Sequence, residues 1–258
     1  MQRKLFSWVS WLTLVAGIMP ASAEPIVIAH RGASAVAPEN TRSAIKAAIE
    51  MGAKVIEFDV RETSDGVLVL FHDADLKRFL GRKESIESLR WDEVKGLDVG
   101  GWFEGGAFAG ETPILFETAL RLCLEHGVTP LIEHKSGAPE NYASVLEKLD
   151  VVDEVIVQSF SWTFLRGVAE VLPNLRIGAL GTKKLDSKKV EQLLSLRPDW
   201  VGWKYSDLSS KAFFTLKEKG FLVALWTVND PKEAAKWMSQ GVDGVITDYP
   251  DKMMEISN

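Results

Sequence analysis

Cys123 is the only cysteine in 258 residues, so no internal disulfide is available to staple the chain. It falls in an apolar helical pattern with Ala119, Leu120 and Leu122, which reads as a buried, inert thiol rather than a nucleophile. Histidine is scarce, at four, and positive charge is in deficit, with 30 Lys and Arg against 36 Asp and Glu. An acidic chain is a poor general partner for nucleic acid or an anionic membrane, so local cations must capture any anionic substrate. No glycine-rich phosphate loop follows the first apolar strand, which argues against an open doubly wound sheet.

What is present begins with a leader. Arg3 and Lys4 form a basic start, residues 5–19 are mostly apolar, and Ala21-Ser22-Ala23 is a small-residue cleavage signal. Residues 1–23 therefore read as a signal peptide cut after Ala23, giving an exported protein, periplasmic or secreted. An uncleaved anchor is the alternative, although the apolar run is short for a bilayer. No cysteine follows the run to serve as a lipoprotein site. Removing the leader takes the basic residues from 30 to 28 against 36 acids, a net charge of −8 instead of −6.

From residue 24 to 258 one theme repeats, a short apolar run and then a helical pattern. Strands are expected at 26–30, 55–60, 130–134, 155–159, 176–180, 200–205, 221–228 and 244–247, with helical patterns between them. Near-continuous hydrophobic strands are covered on both faces, and eight of them alternating with helices predict a closed TIM-type (β/α)8 barrel in one domain. One further run, 67–71, follows Asp65-Gly66, a two-residue hairpin signal. It predicts an extra strand antiparallel to barrel strand 2, with Asp59 opposite His72. Residues 73–113 then form an insertion whose Trp102, Phe103 and Phe108 either meet substrate or pack onto the barrel.

Barrel sites form where strands end. His30 and Arg31 close the first strand, Glu57 and Asp59 the second, Glu133 and Lys135 the third, and Trp226 lies near the end of the seventh. Three carboxylates gathered inside a barrel repel one another unless they take up protons or hold a cation. An all-oxygen set selects one hard divalent ion, Mg²⁺ or Ca²⁺. The plainer alternative pairs Glu133 with Lys135 or Arg31. His30 and His72 flank the acids and suit an acid–base pair. Arg31 and Lys135 suit phosphate oxygens, and Glu39 either orients Arg31 or caps the first helix beside Asn40. His126, before Gly127 at a helix end, needs no catalytic role.

The segments His30-Arg31-Gly32, Pro38-Glu39-Asn40-Thr41, Glu57-Phe58-Asp59-Val60, Asp65-Gly66 and His72-Asp73 resemble the signature of the glycerophosphodiester phosphodiesterase family. The resemblance continues through residues 108–113, Glu133-His134-Lys135, Ser159-Phe160, residues 226–229 and residues 244–250. It implies a barrel with an insertion after strand 2. It also implies metal ligation by Glu57, Asp59 and Glu133, acid–base work by His30 and His72, phosphate contact by Arg31 and Lys135, and a pocket wall from Trp226. His134 departs from the aliphatic residue usual there, without cost if it faces outward. The expected activity is hydrolysis of small-molecule glycerophosphodiesters to sn-glycerol 3-phosphate and an alcohol. The alternatives are lysophospholipid head-group esters as substrates, or an exported binding protein without turnover.

Overall fold

The computed structural model describes residues 24–257; the signal peptide expected over residues 1–23 lies outside them. Nine strands among the described residues form one sheet: β1 Ile26–Ala29, β2 Val55–Glu62, β3 Leu68–Leu70, β4 Thr129–His134, β5 Ile156–Ser159, β6 Arg176–Gly181, β7 Trp200–Lys204, β8 Leu222–Trp226 and β9 Gly244–Thr247. Eight are parallel neighbours, and β1 pairs with both β2 and β9, so the sheet closes into the expected barrel. A helix follows the last strand, Pro250–Ser257, which the sequence pattern had not singled out. No helix of the described residues is long and apolar enough to cross a membrane.

Alternation along the strands sorts side chains into two populations. Ile56, Phe58 and Val60 of β2 point outward into the large core under the helices, with Ile132, Val157 and Val201. Ile28, Leu131 and Ile246 fill the barrel axis, with Val55, Ile156 and Trp200 packed against them. Burying one such side chain contributes roughly 1.5–3 kcal/mol, so the barrel floor is sealed by hydrophobic contact. The polar residues above that floor continue the inward rows. On β2 the row runs Val55, Glu57, Asp59, and on β4 it runs Leu131, Glu133.

The hairpin corrects the predicted register. Thr63 N–H donates to Val67 O at 2.9 Å, so the loop is Ser64-Asp65-Gly66, three residues rather than two. Gly66 takes φ +81°, a left-handed position that glycine occupies without strain. The ladder pairs Val60 with Leu70 and Arg61 with Val69. Asp59 therefore opposes Phe71, whose N–H donates to Asp59 O at 3.0 Å, and does not oppose His72. A one-residue slip would turn His72 to the outer face if the strand continued, but β3 ends at Leu70 and the chain is free to redirect the ring.

The insertion packs a small core of its own, Leu76, Ile86, Leu89, Val94 and Val99, against Val69 and Phe71 of the hairpin strand and its end. Aromatic rings pack in a chain from Phe71 through Phe79, Trp102 and Phe103 to Phe108, edge to face except for the tilted Phe79–Trp102 pair. Packing thus accounts for Phe103 and Phe108, and Trp102 keeps an exposed face.

His134 faces the helices, as alternation requires. It stacks on Phe164 at 3.4 Å between centroids, with Nδ1 3.1 Å from Ser159 Oγ and Nε2 3.1 Å from Gly137 O. Replacing His134 by leucine is expected to leave kcat and KM at wild-type values. The partners it abandons should cost about 1–3 kcal/mol of stability, read as a lower unfolding midpoint in urea.

Candidate active site

Three carboxyl groups meet at the C-terminal end of β2 and β4. Glu57, Asp59 and Glu133 are 1%, 0% and 7% exposed. One oxygen from each lies within 4.8 Å of the other two. Asp59 and Glu133 are register partners, so their closeness is a property of the sheet itself. Glu57 Oε2 accepts the Arg31 N–H at 2.9 Å, while Oε1 is buried with no hydrogen-bond partner. Burial and the neighbouring charges of Asp59 and Glu133 push the Glu57 carboxyl well above the usual range. Burial and Asp59 also raise Glu133. For Asp59, burial is outweighed by Arg31, Lys135 and His72, which hold it well below the usual range. A dry set of oxygen donors, one of them without a partner, fits a hard divalent cation.

Two cations stand over this cluster. Arg31 Nε lies 3.1 Å from Asp59 Oδ2, and its Nη1 donates to Glu39 Oε1 at 2.8 Å. Glu39 therefore orients Arg31; the helix cap falls instead to Thr41, whose hydroxyl accepts Ala44 N–H. Lys135 Nζ lies 2.5 Å from Glu133 Oε1 and 3.1 Å from Asp59 Oδ1, so the simple pairing considered for Glu133 is present alongside the cluster. Arg31 and Asn40 both adopt left-handed backbone, φ 56° and 59°, strain of a kind that concentrates at working sites. Asn40 Nδ2 donates to Asp59 Oδ2 at 2.8 Å, and its Oδ1 accepts Asp59 N–H at 2.9 Å. A side chain at Gly32 would bring its Cβ within 2.5 Å of the Ala44 carbonyl carbon, so only glycine lets the loop lie on the first helix.

The two site histidines, His30 and His72, each have a carboxylate behind them. His30 Nδ1 donates to Asp248 Oδ1 at 2.6 Å, and His72 Nδ1 to Asp73 Oδ1 at 2.8 Å. A carboxylate on Nδ1 fixes the proton there and leaves Nε2 for chemistry. Asp248 is held in turn by Ser34 Oγ at 2.9 Å and Asn229 Nδ2 at 2.5 Å. Burial would raise its carboxyl, but the contacts from His30, Asn229 and Ser34 prevail and hold it down, to about 2. Asp73 is tied through Arg78 to Glu39, and the Arg61 guanidinium forks onto His72 O at 3.1 and 2.9 Å. Those clamps return His72 to the site after the register shift. Burial and the charges of Arg31 and Lys135 lower its pKa against the pull of Asp59 and Asp73.

Six of these groups, His30, Arg31, Glu57, His72, Glu133 and Lys135, border one cavity of about 270 Å³, whose other walls come from Gln158, Phe160, Leu180, Trp226, Thr227 and Ile246. A wider, open cavity of about 630 Å³ adjoins it and shares His72 and Lys135. The structure thus brings His30, His72, Arg31, Lys135, Trp226, Glu57, Asp59 and Glu133 together, with Glu39 behind Arg31. Sequence reasoning gave no role to Asp248, Asn229 or Arg78 and took Asn40 for a helix-cap neighbour. Asp248 and Asn229 follow the ends of β9 and β8, and the rule that sites collect at strand ends applied to them as well.

Asp248→Asn removes the carboxylate charge that holds the proton on His30 Nδ1 and lets the amide N–H compete for that nitrogen. We expect kcat to fall about 10²- to 10⁴-fold with the fold intact at neutral pH. Because the folded pKa of Asp248 is depressed, its contribution to stability is present above the ordinary carboxyl value and is lost as pH falls toward about 2. The stability difference between wild type and variant should therefore shrink on acidification across that window, which urea titrations at stepped pH would show.

An eight-stranded parallel barrel whose mouth gathers an acid cluster, two carboxylate-backed histidines and two cations paired to those acids defines a class: barrel enzymes that carry acid–base and anion-binding groups at the C-terminal mouth. The particular family follows from comparison, since residues 30–252 match the Glycerophosphoryl diester phosphodiesterase family and the chain belongs to it. A glycerophosphodiester phosphodiesterase of Caldanaerobacter subterraneus is 33% identical over 238 residues, covering 90% of this chain and 97% of that one. Another, from Bacillus subtilis, is 30% identical over 249 residues, 88% of this chain and 84% of its relative. Among solved structures, a phosphodiesterase of Oleispira antarctica in complex with the product sn-glycerol-3-phosphate superposes with a TM-score of 0.83 at 29% identity, covering 90% and 96% of the two chains.

Proposed function

We propose that the protein hydrolyses glycerophosphodiesters to sn-glycerol 3-phosphate and an alcohol. The observation that carries this reading is the meeting of Glu57, Asp59 and Glu133 with His30 and His72 around one small cavity. Glu57, Asp59 and Glu133 would hold one divalent cation, Mg²⁺ or Ca²⁺, which supplies Lewis-acid stabilisation of charge on a phosphoryl group. Arg31 and Lys135 bind the phosphate oxygens and set the phosphorus between the two rings. His30, steadied by Asp248, accepts through Nε2 the proton of the attacking hydroxyl as the new O–P bond forms. That hydroxyl is water, giving glycerol 3-phosphate directly, or the glycerol's own C2 hydroxyl, giving a cyclic phosphate that water then opens as His72 takes the water's proton and His30 returns its proton to the C2 oxygen. His72 stands where the enclosed cavity meets the open one, so it protonates the alcohol oxygen as the old P–O bond breaks. The glycerophosphate half sits in the enclosed space and the alcohol faces the open one.

One observation favours lysophospholipids as a second substrate class: Phe160 is 45% exposed at the cavity wall, edge-on to Trp226 at 5.4 Å, and offers an apolar seat. We further propose export, on the leader of residues 1–23; sequencing the exported chain should then give Glu24 first. Phosphorus NMR of glycerophosphocholine incubated with the mature chain and Mg²⁺ or Ca²⁺ tests the activity. Glycerol 3-phosphate with free choline supports it, and phosphocholine with free glycerol, or no turnover with either ion, refutes it.

A further inference from the structure

Arg78 stands on the short helix Lys77–Leu80 of the insertion, at the wall of the open cavity, and every nitrogen of its guanidinium is engaged. Nε donates to Asp73 Oδ2 at 2.7 Å and Nη2 to Asp73 Oδ1 at 3.2 Å. Nη1 donates to Glu39 Oε2 at 2.9 Å and Nη2 to Glu39 Oε1 at 2.6 Å. Each carboxylate passes on to a working group of the site, Asp73 to His72 Nδ1 and Glu39 to Arg31 Nη1. One cation thus lies behind both. Its guanidinium carbon is 4.2 Å from the centre of the Phe79 ring and 5.7 Å from that of Trp102, distances at which an aromatic face attracts a cation. Two rings of the insertion therefore help to place it.

Burial would raise the carboxyls of Asp73 and Glu39, but the hydrogen bonds from Arg78 prevail, together with His72 at Asp73 and Arg31 at Glu39, and hold both down. Deprived of Arg78, each carboxylate would keep only its neighbour in the site. Asp73 would bind the His72 imidazolium more tightly and make the ring a poorer acid, and Glu39 would draw the Arg31 fork away from phosphate. An ammonium has no planar fork with which to span two carboxylates, so lysine is a poor replacement. We propose that Arg78 is a positioning residue that holds the acid ring of His72 and the phosphate-binding fork of Arg31 in register with each other, so that the insertion acts on the reaction through this guanidinium. This rests on the roles given to His72 and Arg31 under Proposed function.

The test measures kcat and KM of Arg78→Met, Arg78→Lys and Arg82→Met on glycerophosphocholine and on a nitrophenyl phosphodiester of glycerol, with binding of glycerol 3-phosphate followed by calorimetry. Arg82, an equally exposed arginine of the insertion, pairs with Glu84, and its variant should match wild type throughout. Arg78→Met should lose about 10- to 100-fold in kcat on glycerophosphocholine. It should regain most of that on the nitrophenyl ester, whose leaving group needs no proton. KM should rise about tenfold on both esters, and glycerol 3-phosphate should bind about tenfold more weakly. Arg78→Lys should repair one of the two effects at most. Added to Asp73→Asn, Arg78→Met should cost no further kcat, and added to Glu39→Gln no further KM. Equal kcat losses on the two esters with KM unchanged, additive losses in both double variants, or full recovery by lysine would overturn the proposal. If wild type turns over neither ester, the phosphodiesterase reading falls instead. Weaker glycerol 3-phosphate binding in Arg78→Met alone would then still support the hold on Arg31, and unchanged binding would overturn it.

Discussion

His30→Ala is expected to lower kcat on glycerophosphocholine by about two to four decades, and His72→Ala by a similar factor, with each variant folded. The two losses should separate when the leaving group changes. An alcohol as basic as choline needs a proton as it departs, whereas an acidic nitrophenol does not. A nitrophenyl phosphodiester of glycerol should therefore restore much of the activity of His72→Ala and little of that of His30→Ala. The assignment comes from geometry, because His72 borders both cavities while His30 borders only the enclosed one, with Asp248 at 2.6 Å behind it. The opposite pattern of rescue would exchange the two roles. A loss below tenfold at either position would remove that ring from the chemistry.

Glu57→Gln should have a comparable effect through a different route. At a hundredfold excess over its dissociation constant, a divalent ion that binds only the folded chain stabilises it by about 2.7 kcal/mol. At this chain length that is a rise of roughly 5–10 °C in the unfolding midpoint. Glu57→Gln should lose that rise and about three decades of turnover, the kinetic equivalent of several kcal/mol. Without added metal the variant should be no less stable than wild type at neutral pH. The Glu57 carboxyl is raised by burial and by Asp59 and Glu133, so the folded state binds its proton more tightly than the unfolded state. That stabilisation is full below the ordinary carboxyl value and is lost as pH climbs through the raised one, and glutamine is exempt from the loss. Metal affinity should in turn strengthen as pH rises, because the ion competes with the protons on Glu57 and Glu133. Scanning calorimetry with and without Mg²⁺ across that range checks both trends.

The barrel was legible because its strands are buried on both faces and read as apolar runs, and because polar residues break those runs only at the C-terminal ends. Glu57, Asp59 and Glu133 were found by counting inward positions, which the β2–β4 register reproduces. The hairpin was not legible to the same depth. Asp65-Gly66 signals a turn, but whether the loop closes at Ser64 or Thr63 is one residue, decided by Thr63 N–H pairing with Val67 O. His72 reaches the site because it lies past the end of β3, under the Arg61 clamp, and not by the alternation first invoked for it. Asp248 lies 218 residues from the ring it orients, and no local pattern links them. Asn40 has the composition of a cap residue; its grip on Asp59 depends on a left-handed backbone that the sequence does not announce. Gln158 reads as one polar residue in a strand, and only the fold shows its amide oxygen to be buried without a partner.

Metal occupancy and turnover measured on the same chelator-stripped protein test the central claim most directly. Titrating Mg²⁺ or Ca²⁺ back should bring both up together, saturating at one ion per chain, and Glu57→Gln should abolish the two in parallel. Full turnover in stripped protein, or undiminished ion binding in Glu57→Gln, would contradict a catalytic ion held by Glu57, Asp59 and Glu133.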